Sequence, residues 1–274
     1  MTERRIAFIN PFGTDDYDEI IGDTLRPLAL DGTQLDVRNL IGAPKNIDYY
    51  WPKHLVETKV FEECMTLERE GYDAIVVGCC YDPGVRVARE LVDIPVVGPL
   101  EAAMNMASYY GHRFTIVTDH HKAVPYIEDL VRLAGQQNCR NVRSINWWVT
   151  EMIKSPSEVA GDAATACELA LEEDAADLVI LGCTIIGACL TKHSRDTGEY
   201  RALPVVNPNL LALKSAEILA DLWQRGEYRI SRRNFYEKQS ARDPDEFEQV
   251  QREYRLVHDP REVQTDPDWR SLRK

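Results

Sequence analysis

The sequence predicts an α/β fold of two similar units, each built on a parallel sheet, related by a pseudo-twofold with a cleft between them. Three observations carry this. Short apolar runs alternate with helical patterns along most of the chain, which favours parallel strands joined by right-handed crossovers. The run Asp73 to Pro83, DAIVVGCCYDP, has a counterpart from Asp177, DLVILGCT. There Gly182 and Cys183 stand as far from their aspartate as Gly78 and Cys79 do from Asp73. A further likeness joins IPVVGPLEAAMNMA, from Ile94, to LPVVNPNLLALKSAEIL, from Leu203. Cys79 and Cys183 lie 104 positions apart, so the repeat is about a hundred residues long.

Taken in order, Arg5 to Ile9 is the first strand, ending in the polar turn Asn10-Pro11-Phe12-Gly13-Thr14, where a loop can touch a ligand. Tyr17 to Leu30 reads as a helix with Ile20, Ile21, Thr24 and Leu28 on one face, and Gln34 to Leu40 as an alternating second strand. Ile41 to Pro52 is a long loop. Its tip, Ile47 to Pro52, is aromatic enough for a lid or a subunit contact, with packing against the domain as the equal alternative. A helix over Leu55 to Glu70 stops at Gly71. The third strand, Ile75 to Val77, leads to Gly78 and two cysteines, and Pro83 to Leu91 follows as a helix. Proline is tolerated in a first turn, where its missing N–H would be an orphan. Ile94 to Val97 is the fourth strand, and Glu101 to Tyr110 the next helix, ended by Gly111.

The pattern then restarts. Phe114 to Val117 is a strand ending in Thr118-Asp119-His120-His121, Val124 to Ala134 a helix, Val142 to Trp148 a strand and Pro156 to Glu173 a long helix. Leu178 to Leu181 leads to Cys183, and Leu203 to Val206 is the last strand. The expected first domain is therefore 1–100 with 207–225 returning to it, and the second is 101–206. From Gly226 to 274 the chain is charged, with prolines at 244, 260 and 267 and no strand pattern. Phe235, Tyr236, Phe247, Tyr254, Leu256 and Trp269 favour an arm that folds on a neighbouring subunit, hence a homo-oligomer, over a solvated tail.

A length of 274 residues with 44% hydrophobic content can bury a substantial core. The formal net charge of −13 works against nucleic acid or an anionic membrane as partner, because both call for a basic surface. No apolar run approaches the roughly 20 residues that span a bilayer. The start, MTERRIAFINP, reads as a strand with a charged leader rather than a signal peptide, and the expected compartment is the cytoplasm. Seven cysteines without zinc spacing or scaffold density point to reduced thiols.

In open parallel sheets ligands bind beyond the carboxyl ends of the strands, and both Gly-Cys pairs sit at such ends. If the halves face each other, a small molecule between them has one sulfur on each side. A thiolate can remove a proton from one face while the opposite thiol delivers one to the other, inverting a stereocentre. No cofactor is required if the carbon is acidic enough. Helices opening near Pro83 and Ile185 are expected to lower the thiol pKa and to hold a developing enolate oxygen. A lone strand-end cysteine is more often a small buried hydrophobe, which is the reading for Cys64, Cys139, Cys167 and Cys189. The repeated context singles out Cys79 and Cys183 as catalytic. Cys80 is the ambiguous neighbour, since alternating side chains let only one of the vicinal pair face the cleft.

Asn10, Thr14, Thr118, Thr184 and Asn207 lie at strand ends or just beyond, where carboxylate or imide oxygens need donors, turn capping being the alternative. Cys80, Tyr81, Gly98, His120 and Ile185 complete the candidate substrate contacts. No third ligand is spaced to join His120 and His121, so no metal is expected. Asp82 reads as a cap for the helix that follows it.

Cys79-Cys80-Tyr81-Asp82-Pro83-Gly84, then Pro95-Val96-Val97-Gly98 with Glu101-Ala102-Ala103, resembles the first cysteine region of the hydantoin racemases, within the aspartate/glutamate racemase superfamily. Leu181-Gly182-Cys183-Thr184 resembles the second. Ile9-Asn10-Pro11 and Pro204-Val205-Val206 also fit, so the resemblance covers roughly residues 4–225. It implies two flavodoxin-like domains with the cleft between them, cofactor-independent racemisation by Cys79 and Cys183, and oligomerisation. Three features depart from the hydantoin racemase pattern. Thr184 follows the second Gly-Cys, as in the amino-acid racemases; the last strand ends in Asn207 rather than Asp; and the extension is longer. The first half also lacks the Cys-Asn-Thr run of glutamate and aspartate racemases.

The leading expectation is racemisation or epimerisation at a carbon next to a carbonyl, in a 5-substituted hydantoin or related cyclic ureide. The alternatives are an amino-acid racemase, or an isomerase or decarboxylase of a small diacid with a cysteine nucleophile. A non-enzymatic sensor that has kept the cleft is the remaining class.

Overall fold

The computed structural model describes residues 3–253, and its strands form two four-stranded sheets, parallel throughout. The first half runs β1 (Arg4–Asn10), α1 (Asp18–Leu25), β2 (Thr33–Asn39), α2 (Tyr50–Arg69), β3 (Ala74–Val77), α3 (Val85–Leu91), β4 (Val96–Val97) and α4 (Pro99–Met106). The second runs β5 (Phe114–Thr118), α5 (Ala123–Leu133), β6 (Cys139–Ser144), the single turn α6 (Val149–Met152), α7 (Pro156–Glu173), β7 (Leu178–Leu181), α8 (Thr184–Thr197), β8 (Val205–Val206) and α9 (Pro208–Gln224). Strand orders β2-β1-β3-β4 and β6-β5-β7-β8 trace the same path, so the repeat in the letters is a repeat of topology.

The central strands explain their own composition. AIVV and LVIL are buried at every position, as strands covered by helices on both faces must be. In the register of the first sheet Ile9 pairs with Val77, and in the second Val117 pairs with Leu181. The next residue in each case is a glycine whose N–H reaches back to the neighbouring strand, Gly78 to Ile9 O and Gly182 to Val117 O, both at 2.7 Å. A methyl at Gly78 would stand 2.0 Å from the Phe8 ring, and one at Gly182 2.5 Å from Ile116 Cγ2. Glycine before each cysteine is therefore what lets the two strand ends close on their sheets.

α9 returns to the first sheet, packing on β1, β3 and α4. Its buried Glu217 accepts from Leu30 N at 2.7 Å and Thr33 Oγ1 at 3.0 Å, and Asp221 pairs with Arg4 at 2.6 Å. The halves are also tied directly: Tyr17 Oη donates to Val149 O at 2.8 Å, and α1 packs on α8.

Several element boundaries differ from the sequence reading, for local reasons. The first helix ends at Leu25 and tightens into a 3₁₀ turn, Arg26–Leu28, because Pro27 has no N–H and restricts the residue before it. α2 begins at Tyr50, within the expected loop, with Pro52 in its first turn. α3 begins at Val85 because Gly84, at φ 71°, lies outside the helical region. The strand expected over Val142 to Trp148 is shifted to Cys139–Ser144.

The described part of the extension holds α10 (Gln239–Arg242) and α11 (Pro244–Glu253) and is fastened to its own chain. Arg232 donates to the carbonyls of Arg89 at 2.8 Å and Glu90 at 3.1 Å, which would otherwise be orphan acceptors near the end of α3, and also to the Val92 carbonyl. Lys238 pairs with Asp93 at 2.8 Å, and Arg86 lies over the Phe235 ring. Tyr254, Leu256 and Trp269 lie outside the described residues. Among the described residues no helix is long and apolar enough to cross a membrane.

Candidate active site

The two cysteines reach one narrow cavity from opposite halves. Cys79 follows β3 and Gly78, and its sulfur accepts from Tyr81 N at 3.5 Å. Cys183 is the residue before α8, in extended conformation, so its sulfur sits at the N-terminus of that helix, where the N–H groups of Ile185 and Ile186 favour its thiolate. Both line the cavity, together with Cys80, Tyr81, Thr184 and Ile185. It holds about 20 Å³, room for about one water. The vicinal pair is split: Cys80 Sγ donates across the interface to Leu181 O at 3.7 Å, leaving Cys79 as the one held by a backbone donor.

Thiol electrostatics run opposite to the expectation of lowered values. Burial pushes the Cys79 thiol up to about 12, against the Tyr81 N–H bond, with Asp119 and Asp82 adding to the rise and Lys53 opposing it. Cys183 is raised well above the ordinary thiol range by burial and then by Asp119. The N–H groups of Ile186 and Ile185 pull it back without prevailing. The helix N-terminus does favour the Cys183 thiolate; desolvation is larger.

Around the thiols runs a bonded frame. Thr184 Oγ1 donates across the interface to Gly78 O at 3.1 Å, and Asn209 Nδ2 holds Thr184 O at 2.8 Å. Thr118 Oγ1 lies 3.1 Å from Gly182 O and 3.0 Å from Asp119 Oδ1. Asp119 Oδ1 also accepts from His120 N at 2.9 Å and Tyr81 Oη at 3.4 Å. Burial raises the Asp119 carboxyl, only partly countered by His120. Burial pulls His120 down, but the bond to Asp48 and the charge of Asp119 outweigh it, and the imidazole is raised overall.

The remaining candidates sit farther out or serve as caps. Asn10 is buried beside the site, with Nδ2 on Asp18 at 2.5 Å and Oδ1 without a partner. Thr14 bonds Asp16 in the outer turn. Gly98 precedes α4, whose Leu100 and Glu101 N–H groups bond the Asp82 carboxyl at 3.1 and 2.8 Å. Asp82 thus caps α4, not the helix that follows it, because α4 opens beside it in space. Asn207 caps α9, accepting from Asn209 N at 2.9 Å and donating to Thr191 at 2.8 Å.

Sequence reasoning missed Asp48 and selected neither Asp119 nor Phe12, all three of which line the cavity. Asp119 was legible as the acid between Thr118 and His120 at a strand end; Asp48 lay in a loop tip noticed only for its aromatics. That loop is a strap across the two halves. The Tyr49 ring stacks on Trp148 at 5.8 Å and 14°, Tyr50 Oη donates to Lys122 O at 3.3 Å, and Trp148 stacks in turn on His120 at 4.6 Å. Trp51 stays 73% exposed. The strap brings Asp48 within 3.3 Å of His120 Nε2, and Asp48, Asp119 and His120 offer three ligand atoms within 4.8 Å of one another. Asp48 comes from a distant loop, which is why linear spacing did not show the set.

Comparison with known proteins agrees with this architecture. The family model described as Asp/Glu/Hydantoin racemase matches residues 6–216. A hydantoin racemase from Paenarthrobacter aurescens is 30% identical over 236 residues, which is 85% of this chain and 97% of the relative. Among solved structures, an allantoin racemase from Klebsiella pneumoniae is 26% identical with a TM-score of 0.77, covering 86% of this chain and 94% of its own. One from Pseudomonas fluorescens is 28% identical with a TM-score of 0.75, covering 85% and 96%. With the matched region spanning both sheets and both Gly-Cys strand ends, the chain belongs to the Asp/Glu/hydantoin racemase family and is an isomerase of the racemase class.

Proposed function

We propose that this racemase inverts the stereocentre of a 5-substituted hydantoin or related cyclic ureide by proton transfer between Cys79 and Cys183, without a cofactor. One thiolate takes the proton from the carbon beside the carbonyl, the electron pair passes to the carbonyl oxygen, and the opposite thiol returns a proton to the other face. Each turnover moves the thiolate from one cysteine to the other, so the reverse reaction starts from the state the forward one leaves. The N–H groups at the start of α8 favour the Cys183 thiolate, and Lys53 favours that of Cys79.

The observation that carries the substrate class is the charge of the lining. Asp48 and Asp119 line the cavity, and among the described residues no lysine or arginine does. Such a wall disfavours the carboxylates of a diacid or an amino acid and suits a neutral ring carrying N–H donors. The relatives named hydantoin racemase and allantoin racemase support the same class.

The test is enantiopure 5-benzylhydantoin in deuterium oxide, followed by circular dichroism and proton NMR. Decay of the dichroic signal with deuterium appearing at the stereocentre is the expected result. Cys79→Ser and Cys183→Ser each abolish racemisation by about a thousandfold or more, while each keeps proton exchange with one enantiomer, opposite for the two variants. Racemisation at the wild-type rate by either variant overturns the two-thiol reading.

A further inference from the structure

Asp48 is buried, lines the cavity, and has one oxygen accounted for and one not. Oδ1 lies 3.3 Å from His120 Nε2, whereas Oδ2 is buried with no hydrogen-bond partner. An oxygen that has lost water and gained no donor carries a standing penalty, which is recovered when a ligand brings a donor to it. Asp119, the other acid of the wall, already takes Thr118 Oγ1, His120 N and Tyr81 Oη on its Oδ1. The position of Asp48 is fixed as well: its N–H donates to Asn46 Oδ1 at 2.7 Å, and the next residue, Tyr49, is stacked on Trp148. Diacids bring oxygens to this wall, and cyclic ureides bring ring N–H groups.

Resting on the ureide reading above, we infer that Asp48 Oδ2 accepts a hydrogen bond from a ring N–H of the substrate and makes Asp48 a specificity-determining residue. A charge-assisted bond of this kind, made in a dry site, is worth about tenfold to a hundredfold in affinity.

Enantiopure 5-benzylhydantoin and its N1-methyl and N3-methyl derivatives test this, with racemisation followed by circular dichroism in wild type and Asp48→Ala. The methyl group removes the donor but adds bulk, and the bulk acts on both enzymes, so the change in discrimination between them isolates the bond. Wild type is expected to lose at least about thirtyfold in kcat/KM on one methyl derivative. In Asp48→Ala the parent loses about tenfold to a hundredfold, chiefly through KM, and the discrimination shrinks to about threefold. Wild-type turnover of both derivatives within threefold of the parent overturns the proposal without any variant, as does undiminished discrimination in Asp48→Ala, which has no acceptor at this position. If Asp48→Ala melts early, the wild-type comparison of the three hydantoins decides alone. Absence of wild-type turnover on all three hydantoins overturns the function reading, and this proposal with it.

Discussion

If the proposed two-thiol reaction operates, the two raised thiols in the cavity set its pH behaviour. Burial pushes Cys79 up to about 12 and raises Cys183 well above the ordinary thiol range, so at neutral pH the base form is scarce. Below such a value the thiolate fraction grows tenfold per pH unit, and kcat/KM is expected to climb steadily from pH 7 to 9. A pH–rate profile that already reaches a plateau below pH 8 contradicts this. The two cysteines that line the cavity were legible in the sequence because a repeat marked them; the direction of their titration was not. A helix N-terminus beside Cys183 could be anticipated from DLVILGCT, but the depth of burial depends on how the second half closes over the first, and burial is the larger effect. Asp82 shows the same limit: its capping role was readable, and the helix it caps was not, since α4 is adjacent only in space.

Strands and helices were legible where their burial imposes a pattern on the letters. β3 and β7, covered on both faces, spell continuous apolar runs; the long helix was read with its observed bounds, Pro156–Glu173, its start marked by a proline. Element ends failed where one proline or glycine decided the matter locally, at Pro27 and Gly84. The strap of residues 41–49 was legible as a loop and ambiguous as to partner, because aromatic side chains at a tip say nothing of what they stack on. Its anchor is Trp148, which holds Tyr49 on one side and His120 on the other. Each such aromatic pair is worth about 0.5–1.5 kcal/mol. Trp148→Ala is therefore expected to raise KM about tenfold, with a smaller change in kcat, as Asp48 loses its fixed position. Steady-state kinetics check this, and an unchanged KM shows that the strap does not set the site.

At the scale of the whole molecule, the site exists only where the halves meet. Thr184 Oγ1 to Gly78 O and Cys80 Sγ to Leu181 O are the bonds that cross directly behind the cysteines. Thr184→Val keeps the shape and removes the donor, leaving a buried carbonyl unpaired at a cost of about 1–3 kcal/mol. The expected outcome is a fall of about 2–12 °C in melting temperature, at roughly 2–4 °C per kcal/mol for a chain of this size. Activity should fall by more than tenfold, since the two strand ends lose their spacing; a variant that melts early yet racemises normally contradicts the latter. The pseudo-twofold was readable from two short runs, whereas the bonds across it were not, because neither half's letters specify the other half's carbonyls.

The return of α9 to the first sheet also dictates the order in which this molecule can be finished. During synthesis from the N-terminus, β1 to β4 are complete long before the helix that roofs β1 and β3 exists, and Glu217 and Asp221 meet Leu30, Thr33 and Arg4 only near the end. The half that emerges first from the ribosome is thus the half that must wait, with apolar sheet surface uncovered, while the second half can close on itself beforehand.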